Sequence, residues 1–169
     1  KIKKLDDCCK GKGFNLFDNS ETILGIVVPN GASFSRKEID ALTDWVKRPQ
    51  IGAKGMIYCK FNKDAEYKSS VDKFFNLSDL KNWQKITEAN NGDMLLILAG
   101  EKTTTVNAIG NLRLEVAKRL NLCDSLKFAP VWITEFPLFE LDKETGKYHA
   151  MHHPFTSPHK DDIELLKTN

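Results

Sequence analysis

The sequence lacks the features that mark membrane, fibrous or disordered chains. Its apolar runs, such as residues 94–99, fall far short of the roughly 20 residues that a membrane-spanning helix needs. The first residues contain no apolar core of a secretory signal. Only 10 glycines and 6 prolines occur among 169 residues, and 41% of the residues are hydrophobic. This composition predicts a globular protein, which we expect to be cytoplasmic and to have no membrane partner.

An excess of charge of either sign is also lacking. Lysine and arginine number 25, aspartate and glutamate number 23, and the formal net charge is +2. The basic run KIKK at residues 1–4 is typical of a solvated terminus. A strongly basic surface for nucleic acid is therefore not predicted.

Cysteine is scarce, and its spacing does not suit a metal site. The four cysteines lie at positions 8, 9, 59 and 123, with no CxxC pair among them. Cys8 and Cys9 are neighbours, but no second close pair completes four zinc ligands. The pattern favours free thiols in a reducing compartment.

Two common catalytic motifs are missing. The chain contains neither GxxxxGK[ST] nor GxSxG. A P-loop nucleotide site and a serine nucleophile elbow are therefore not predicted.

Apolar segments predict three strands. They are TILGIVV at 22–28, GMIYCKF at 55–61 and MLLILAG at 94–100. The last of these is apolar throughout, which is typical of a central strand covered on both faces.

A helical pattern follows each strand. The first helix begins at Ser35, with Glu38 in place to complete a capping box. The second has Ser78 as its predicted N-cap and Gly92 just beyond its end. The third covers residues 103–120. We expect its Gly110 to lie close to the sheet, and its apolar face is formed by Val106, Ile109, Leu112, Val116 and Leu120.

These elements predict an α+β fold, a mixed sheet with helices packed on it. The pattern changes beyond Leu122. Residues 127–142 and 147–158 predict two long strands of a β-hairpin joined by the turn KETG.

All four histidines lie near the end of the chain, at positions 149, 152, 153 and 159. Zinc binding fits poorly, because in a strand His149 and His153 face one side and His152 the other. Pro154 would also break a helix that could gather them. The alternatives are a substrate contact, since imidazole can both donate and accept hydrogen bonds, and an ordinary exposed strand end. The spacing alone favours the exposed strand end.

Longer stretches resemble one enzyme family. Two stretches closely resemble bacterial-type aspartyl-tRNA synthetases, namely VWITEFPLFE and HAMHHPFTSP. Three others are similar to the GAD insertion domain of these enzymes, namely GASFSRKEIDALTDWVK, NGDMLLILAG and AIGNLRLEVAK. The resemblance runs from about Leu5 to Pro158. It implies a linker from the catalytic domain at 1–13 and a GAD insertion domain at 14–127. Residues 128–169 would return to the class II catalytic domain as a hairpin of its antiparallel sheet and the start of a helix.

The resemblance also implies a function. Such a ligase uses ATP and Mg²⁺ to activate L-aspartate and then transfers it to tRNA(Asp). By position in HHPFTSP, His152 would contact the aspartate. His153 is a less certain contact, and Thr156 and Ser157 would be their neighbours.

We expect a piece of a longer protein, because the chain begins at Lys1 and ends in DDIELLKTN. The family's ATP-binding motifs, its dimer-forming motif and its anticodon-binding domain have no counterpart here. We therefore expect no bound cofactor and no ligase activity from this chain alone, and a homodimer only for the longer protein. The alternative is a non-catalytic tRNA or protein interaction module, such as the GAD domain of a tRNA-dependent amidotransferase subunit.

Overall fold

The computed structural model describes residues 1–62, 66–124, 126–134, 136–142, 144–151 and 157–168. The chain divides into two compact units, Lys1–Asp124 and Ser125–Asn169. Among the described residues, the helices are too short or too polar to cross a bilayer.

The first unit contains five strands and five helices within the described residues. Its strands are β1 (Ile2–Lys4), β2 (Thr22–Val28), β3 (Ile57–Phe61), β4 (Tyr67–Ser69) and β5 (Met94–Gly100). Its helices are α1 (Asp6–Cys9), α2 (Asn15–Asp18), α3 (Arg36–Val46), α4 (Leu77–Thr87) and α5 (Lys102–Arg119), and a short 3-10 turn covers Gly31–Ser33.

The five strands form one sheet in the order β1-β2-β5-β3-β4. The predicted α+β class, with helices packed on a sheet, is confirmed. Strands β2 and β3 run in the same direction, but β5 lies between them and pairs antiparallel with both. Every strand pairing in the described residues is consequently antiparallel, so the sheet has no parallel neighbours of the kind that a mixed sheet contains.

Alternating residues of β5 point into two separate cores. Leu95 and Ile97 lie in one apolar cluster together with Trp83 of α4. Leu96 and Leu98 lie in the other, which contains residues of α3 and α5. The central strand is therefore covered on both faces, as its apolar sequence predicts.

Helix α3 begins as its sequence predicts. The backbone N–H of Glu38 donates to Ser35 Oγ over 3.3 Å, and the backbone N–H of Ser35 donates to Glu38 Oε2 over 2.8 Å. The hydrogen bonds from Ser35 lower the pKa of the Glu38 carboxyl. This capping box satisfies two N–H groups that the first turn leaves unpaired.

Helix α4 begins and ends at residues other than those predicted. Its N-cap is Asn76, not Ser78, because Asn76 Oδ1 accepts from the backbone N–H of Asp79, whose carboxylate accepts from the backbone N–H of Asn76. The helix is closed by Glu88, which has a left-handed φ of 58°. Gly92, at φ 97°, lies in the turn that leads into β5 instead.

Residues 1–13, expected from the resemblance to be a linker, contain β1 and α1. Strand β1 pairs with β2, with Lys3 opposite Gly25. Leu5, immediately after the strand, is 1% exposed. These residues thus belong to the sheet and core of the first unit.

Helix α5 corrects two predictions. Val106 was expected on the apolar face but is 47% exposed. Gly110 was expected close to the sheet. A Cβ added there would meet no atom of the described residues within 4 Å, the nearby backbone of the helix aside. Helical spacing identified Ile109, Leu112 and Val116 correctly as buried residues.

Replacing Gly110 by alanine is expected to raise the free energy of unfolding by about 0.5–1 kcal/mol, because alanine has less backbone freedom to lose in a helix interior. Urea unfolding followed by circular dichroism measures the change. The control is Gly31→Ala, whose Cβ would lie 2.8 Å from the Cβ of Met94. It is expected to lower stability by about 1–3 kcal/mol through overpacking. A loss of stability in Gly110→Ala would contradict the open position of Gly110.

The second unit contains β6 (Phe139–Leu141), β7 (Tyr148–Ala150), a 3-10 turn (Lys160–Asp162) and α6 (Ile163–Thr168). The hairpin lies where it was predicted, but each strand has three residues and is much shorter than the sequence suggested. The described residues of 126–138 form no helix or strand.

Candidate functional site

The candidate site lies in the second unit, and its described part is centred on the hairpin of β6 and β7, which contains His149. Strands β6 and β7 pair antiparallel, with Phe139 opposite Ala150 and Glu140 opposite His149. The pairing continues past β7, since the backbone N–H of Met151 donates to the carbonyl of Leu138 over 2.9 Å. Met151 therefore still lies alongside the residues that lead into β6.

Asp142 organises the hairpin turn. Its carboxylate accepts from the backbone N–H of Glu144 over 2.9 Å and from the hydroxyl of Thr145 over 2.6 Å. Its carbonyl accepts from the backbone N–H of Gly146 over 2.8 Å. Gly146 has a φ of 66°, a left-handed conformation that glycine adopts without steric cost. An aspartate that accepts from residues two and three positions later is a common turn former.

His149 is tied to this turn. Its Nε2 lies 3.6 Å from Asp142 Oδ2, and its side chain is 66% exposed. The hydrogen bond from Thr145, then that from Glu144 and more weakly that from His149, lower the pKa of the Asp142 carboxyl. Such an exposed ion pair contributes little to stability. The contact shows that the His149 imidazole lies beside a carboxylate of the same hairpin.

His159 also has a local partner. Its Nδ1 accepts from the backbone N–H of Asp161 over 3.4 Å, which caps the 3-10 turn Lys160–Asp162. The same nitrogen lies 3.5 Å from Asp161 Oδ2. His149 and His159 thus each have a nearby carboxylate of their own.

The remaining predicted contacts are mostly beyond what the structure describes. His152, His153 and Thr156 lie outside the described residues. Ser157 is described and is exposed. The predicted aspartate contact at His152 therefore stays a prediction.

A metal site is one of the alternatives for the four histidines. Among the residues that the structure describes, no three side chains of His, Cys, Asp or Glu converge as metal ligands. His149 and His159 instead face single carboxylates, at 3.6 and 3.5 Å.

The second unit exposes large apolar side chains. Trp132 is 96% exposed, Phe128 94% and Val131 80%. Along the hairpin, Phe139 and Tyr148 form an edge-to-face pair with centroids 6.4 Å apart, yet both remain more than half exposed. Large exposed apolar side chains in such number are typical of a surface on which another protein segment packs. Residue type alone predicts that such side chains are buried, so their exposure is visible only in the structure.

The first unit contains a surface cleft that no sequence pattern indicates. It has a volume of about 320 Å³ and is lined by Asn30, Ala32, Ser33, Asn62 and Gly92. The nearby Lys60 ammonium donates to the carbonyl of Phe34, which ties β3 to the start of α3. Burial lowers the pKa of Lys60. The alternation of side chains along β3 could have indicated that Lys60 faces a helix-covered side of the sheet, but it could not have indicated the Phe34 carbonyl as its acceptor.

Comparison with known proteins places both units in context. The family model described as the GAD domain matches residues 15–109. Aspartate–tRNA ligases resemble the chain over nearly its whole length. That of Flavobacterium psychrophilum is 51% identical over 166 residues, which cover 98% of this chain and 28% of the relative. That of Porphyromonas gingivalis is 48% identical over 167 residues, and that of Azobacteroides pseudotrichonymphae 45% over 168. The chain spans 28–29% of the length of these relatives.

Proposed function

This chain belongs to the GAD domain family, and we propose that it is part of a cytoplasmic, bacterial-type aspartate–tRNA ligase. The longer protein would activate L-aspartate with ATP and transfer it to tRNA(Asp). In this proposal the first unit is the GAD insertion domain, and the second returns to the class II catalytic domain. The ligase would be a homodimer formed through segments other than these.

One observation carries the proposal: the likeness to the ligases continues beyond the GAD match. The GAD match ends at residue 109, whereas the similarity to the ligases covers 98% or more of the chain. It therefore includes the hairpin and the histidine-rich segment. An amidotransferase subunit would share the GAD domain alone, so the second unit favours the ligase.

The exposed apolar residues of the second unit agree with this role. A hairpin of two three-residue strands is marginally stable alone and needs further strands or packing. Addition to the antiparallel sheet of a catalytic domain would supply both. It would also cover side chains such as Val131 and Trp132, which are at least 80% exposed here.

The chemistry proposed for the histidine-rich segment is substrate binding. Aspartate has one ammonium and two carboxylate groups, and an imidazole can accept from the former or, when charged, donate to the latter. We assign this contact to His152, with His153 as a neighbour. Adenylate formation joins the substrate carboxylate to the α-phosphate of ATP and releases pyrophosphate. The ATP and Mg²⁺ would be bound by other parts of the ligase, and the task of His152 is to position the aspartate.

The GAD unit is better suited to bracing the catalytic domain than to gripping tRNA. Some of its cations are paired with carboxylates, as in Lys3 with Glu88 at 2.9 Å and Lys12 with Asp79 at 2.8 Å. Since affinity for nucleic acid depends on an excess of cations that neutralise phosphates, the formal net charge of only +2 for the whole chain disfavours strong independent binding.

Aspartate-dependent ATP–pyrophosphate exchange tests the proposal. We expect exchange from the full-length protein and none from residues 1–169 alone, because the ATP-binding motifs belong to other segments of the family. Exchange with asparagine or glutamate in place of aspartate is the control. Exchange by the isolated chain, or its absence with aspartate in the full-length protein, would contradict the proposal.

A gel shift with cognate tRNA tests the alternative of an interaction module. The isolated chain is expected to bind weakly at low salt and to lose binding at physiological salt. Tight binding that resists salt would support the module instead.

A further inference from the structure

Cys8 and Cys9 form a pair of thiols in contact. They end the single-turn helix α1, and their Sγ atoms lie 3.9 Å apart. Successive side chains on a helix point about 100° apart, so adjacency in sequence does not by itself bring two sulfurs together. The Cys8 thiol also donates to the carbonyl of Leu5 over 3.2 Å, which fixes its direction.

The pair lies across the boundary of the core. Cys9 is 0% exposed and belongs to the apolar cluster that contains Trp83, whereas Cys8 is partly exposed and packs against that cluster. The Nε1–H of Trp83 donates to the carbonyl of Cys8 over 3.5 Å. A reagent in solution can therefore reach Cys8 first and find Cys9 directly behind it.

The hydrogen bond between the thiols divides their reactivity. Donation from Cys9 lowers the pKa of Cys8. The same bond and burial raise the pKa of Cys9. The thiolate, which is the nucleophile, therefore forms at the more accessible sulfur.

The other two cysteines have different surroundings. Cys59 is 0% exposed, and burial raises its pKa to about 12. Cys123 is exposed. Among the described residues, neither cysteine belongs to a group of three or more potential metal ligands. They serve as internal controls for a buried thiol and an accessible thiol.

We infer that Cys8 and Cys9 form a dithiol site for thiophilic ligands of the trivalent organoarsenical class, chelated by both sulfurs. With an arsine oxide, two As–S bonds replace the As–O bond, the two thiol protons leave with the oxygen as one water, and no redox change occurs. A trivalent arsenical needs only two sulfur ligands here, whereas structural zinc needs four. The second As–S bond forms within the same molecule, so an arsenical bound by both sulfurs dissociates more slowly than one bound by a single sulfur.

Phenylarsine oxide is the probe, applied to the native 169-residue chain and followed by intact-mass spectrometry. We expect one adduct, accompanied by loss of one water, that survives excess glutathione and is removed by a dithiol such as dimercaptopropanol. The variant Cys8→Ser is expected to lose this resistant adduct. Cys123→Ser is expected to keep it, because Cys123 is not part of the pair.

Circular dichroism tests whether the Cys8→Ser variant is folded. The variant Cys9→Ala removes the other chelating sulfur and is expected to lose the resistant adduct as well. Three results would overturn the inference. They are a resistant adduct that persists in Cys8→Ser, one that disappears in Cys123→Ser, and one that forms in the original chain only after unfolding in guanidinium.

Discussion

Replacing Trp83 by alanine is expected to lower the free energy of unfolding by about 3–5 kcal/mol, the range for removing a large aromatic side chain from a core. Trp83 is 0% exposed. Its ring centroid lies 4.7 Å from that of Phe75 and 6.4 Å from that of Phe17. Its loss also leaves the carbonyl of Cys8 without a donor from the indole. Guanidinium unfolding followed by far-ultraviolet circular dichroism measures the change, because tryptophan fluorescence would itself be altered.

The same substitution at Trp132 is the matched control. Trp132 is 96% exposed, so its removal is expected to change stability by no more than about 0.5 kcal/mol. The two variants lose the same atoms, one from the core of the first unit and the other from an exposed position in the second. Comparable effects at the two positions would show that the aromatic cluster around Trp83 does not stabilise the first unit.

The parts of the fold that were predicted correctly depend on neighbours in sequence. The capping box of α3 needs only Ser35 and Glu38, three residues apart. The strand at 94–100 is recognised from an uninterrupted apolar run. Each signal is local, so a single sequence is sufficient to read it.

The parts that were missed depend on distant partners or on competing local signals. Strand β1 is only three residues long, and it is a strand because it pairs with β2, which is distant in sequence. The cap of α4 shifts from Ser78 to Asn76, because Asn76 and Asp79 satisfy each other. Gly110 was predicted to lie close to the sheet, but its position on α5 faces open space among the described residues. Sequence shows spacing, but it does not show which face is covered.

The candidate site divides in the same way. The spacing of four histidines left metal, substrate and surface roles open, and only the resemblance to a family selected His152. The structure adds that His149 lies beside Asp142 and His159 beside Asp161. The contact between the sulfurs of Cys8 and Cys9 could not be predicted from their adjacency, because successive side chains on a helix point about 100° apart.

His152→Ala in the full-length ligase is expected to lower kcat/KM for aspartate by at least about 30-fold. Removing one partner of a buried, charged hydrogen bond costs about 2–5 kcal/mol. This prediction rests on the proposed aspartate contact, since His152 lies outside the described residues. If the imidazole grips aspartate throughout the reaction, most of the change appears in KM for aspartate, and KM for ATP changes little. ATP–pyrophosphate exchange at varied aspartate concentration measures both.

His149→Ala is the matched control for this prediction. His149 lies three positions earlier and is 66% exposed, with its Nε2 3.6 Å from Asp142. Its removal should leave KM for aspartate nearly unchanged. An equal loss in both variants would mean that the segment as a whole, and not the His152 imidazole, supports binding.

His152→Asn then separates hydrogen bonding from charge. An asparagine side chain keeps one donor and one acceptor but has no charge. Recovery of most of the aspartate affinity would indicate a neutral His152, whose hydrogen bond to aspartate an amide can replace. Failure to recover, with His149→Ala still active, would indicate a charged imidazole that donates to a carboxylate, because an amide cannot replace that charge.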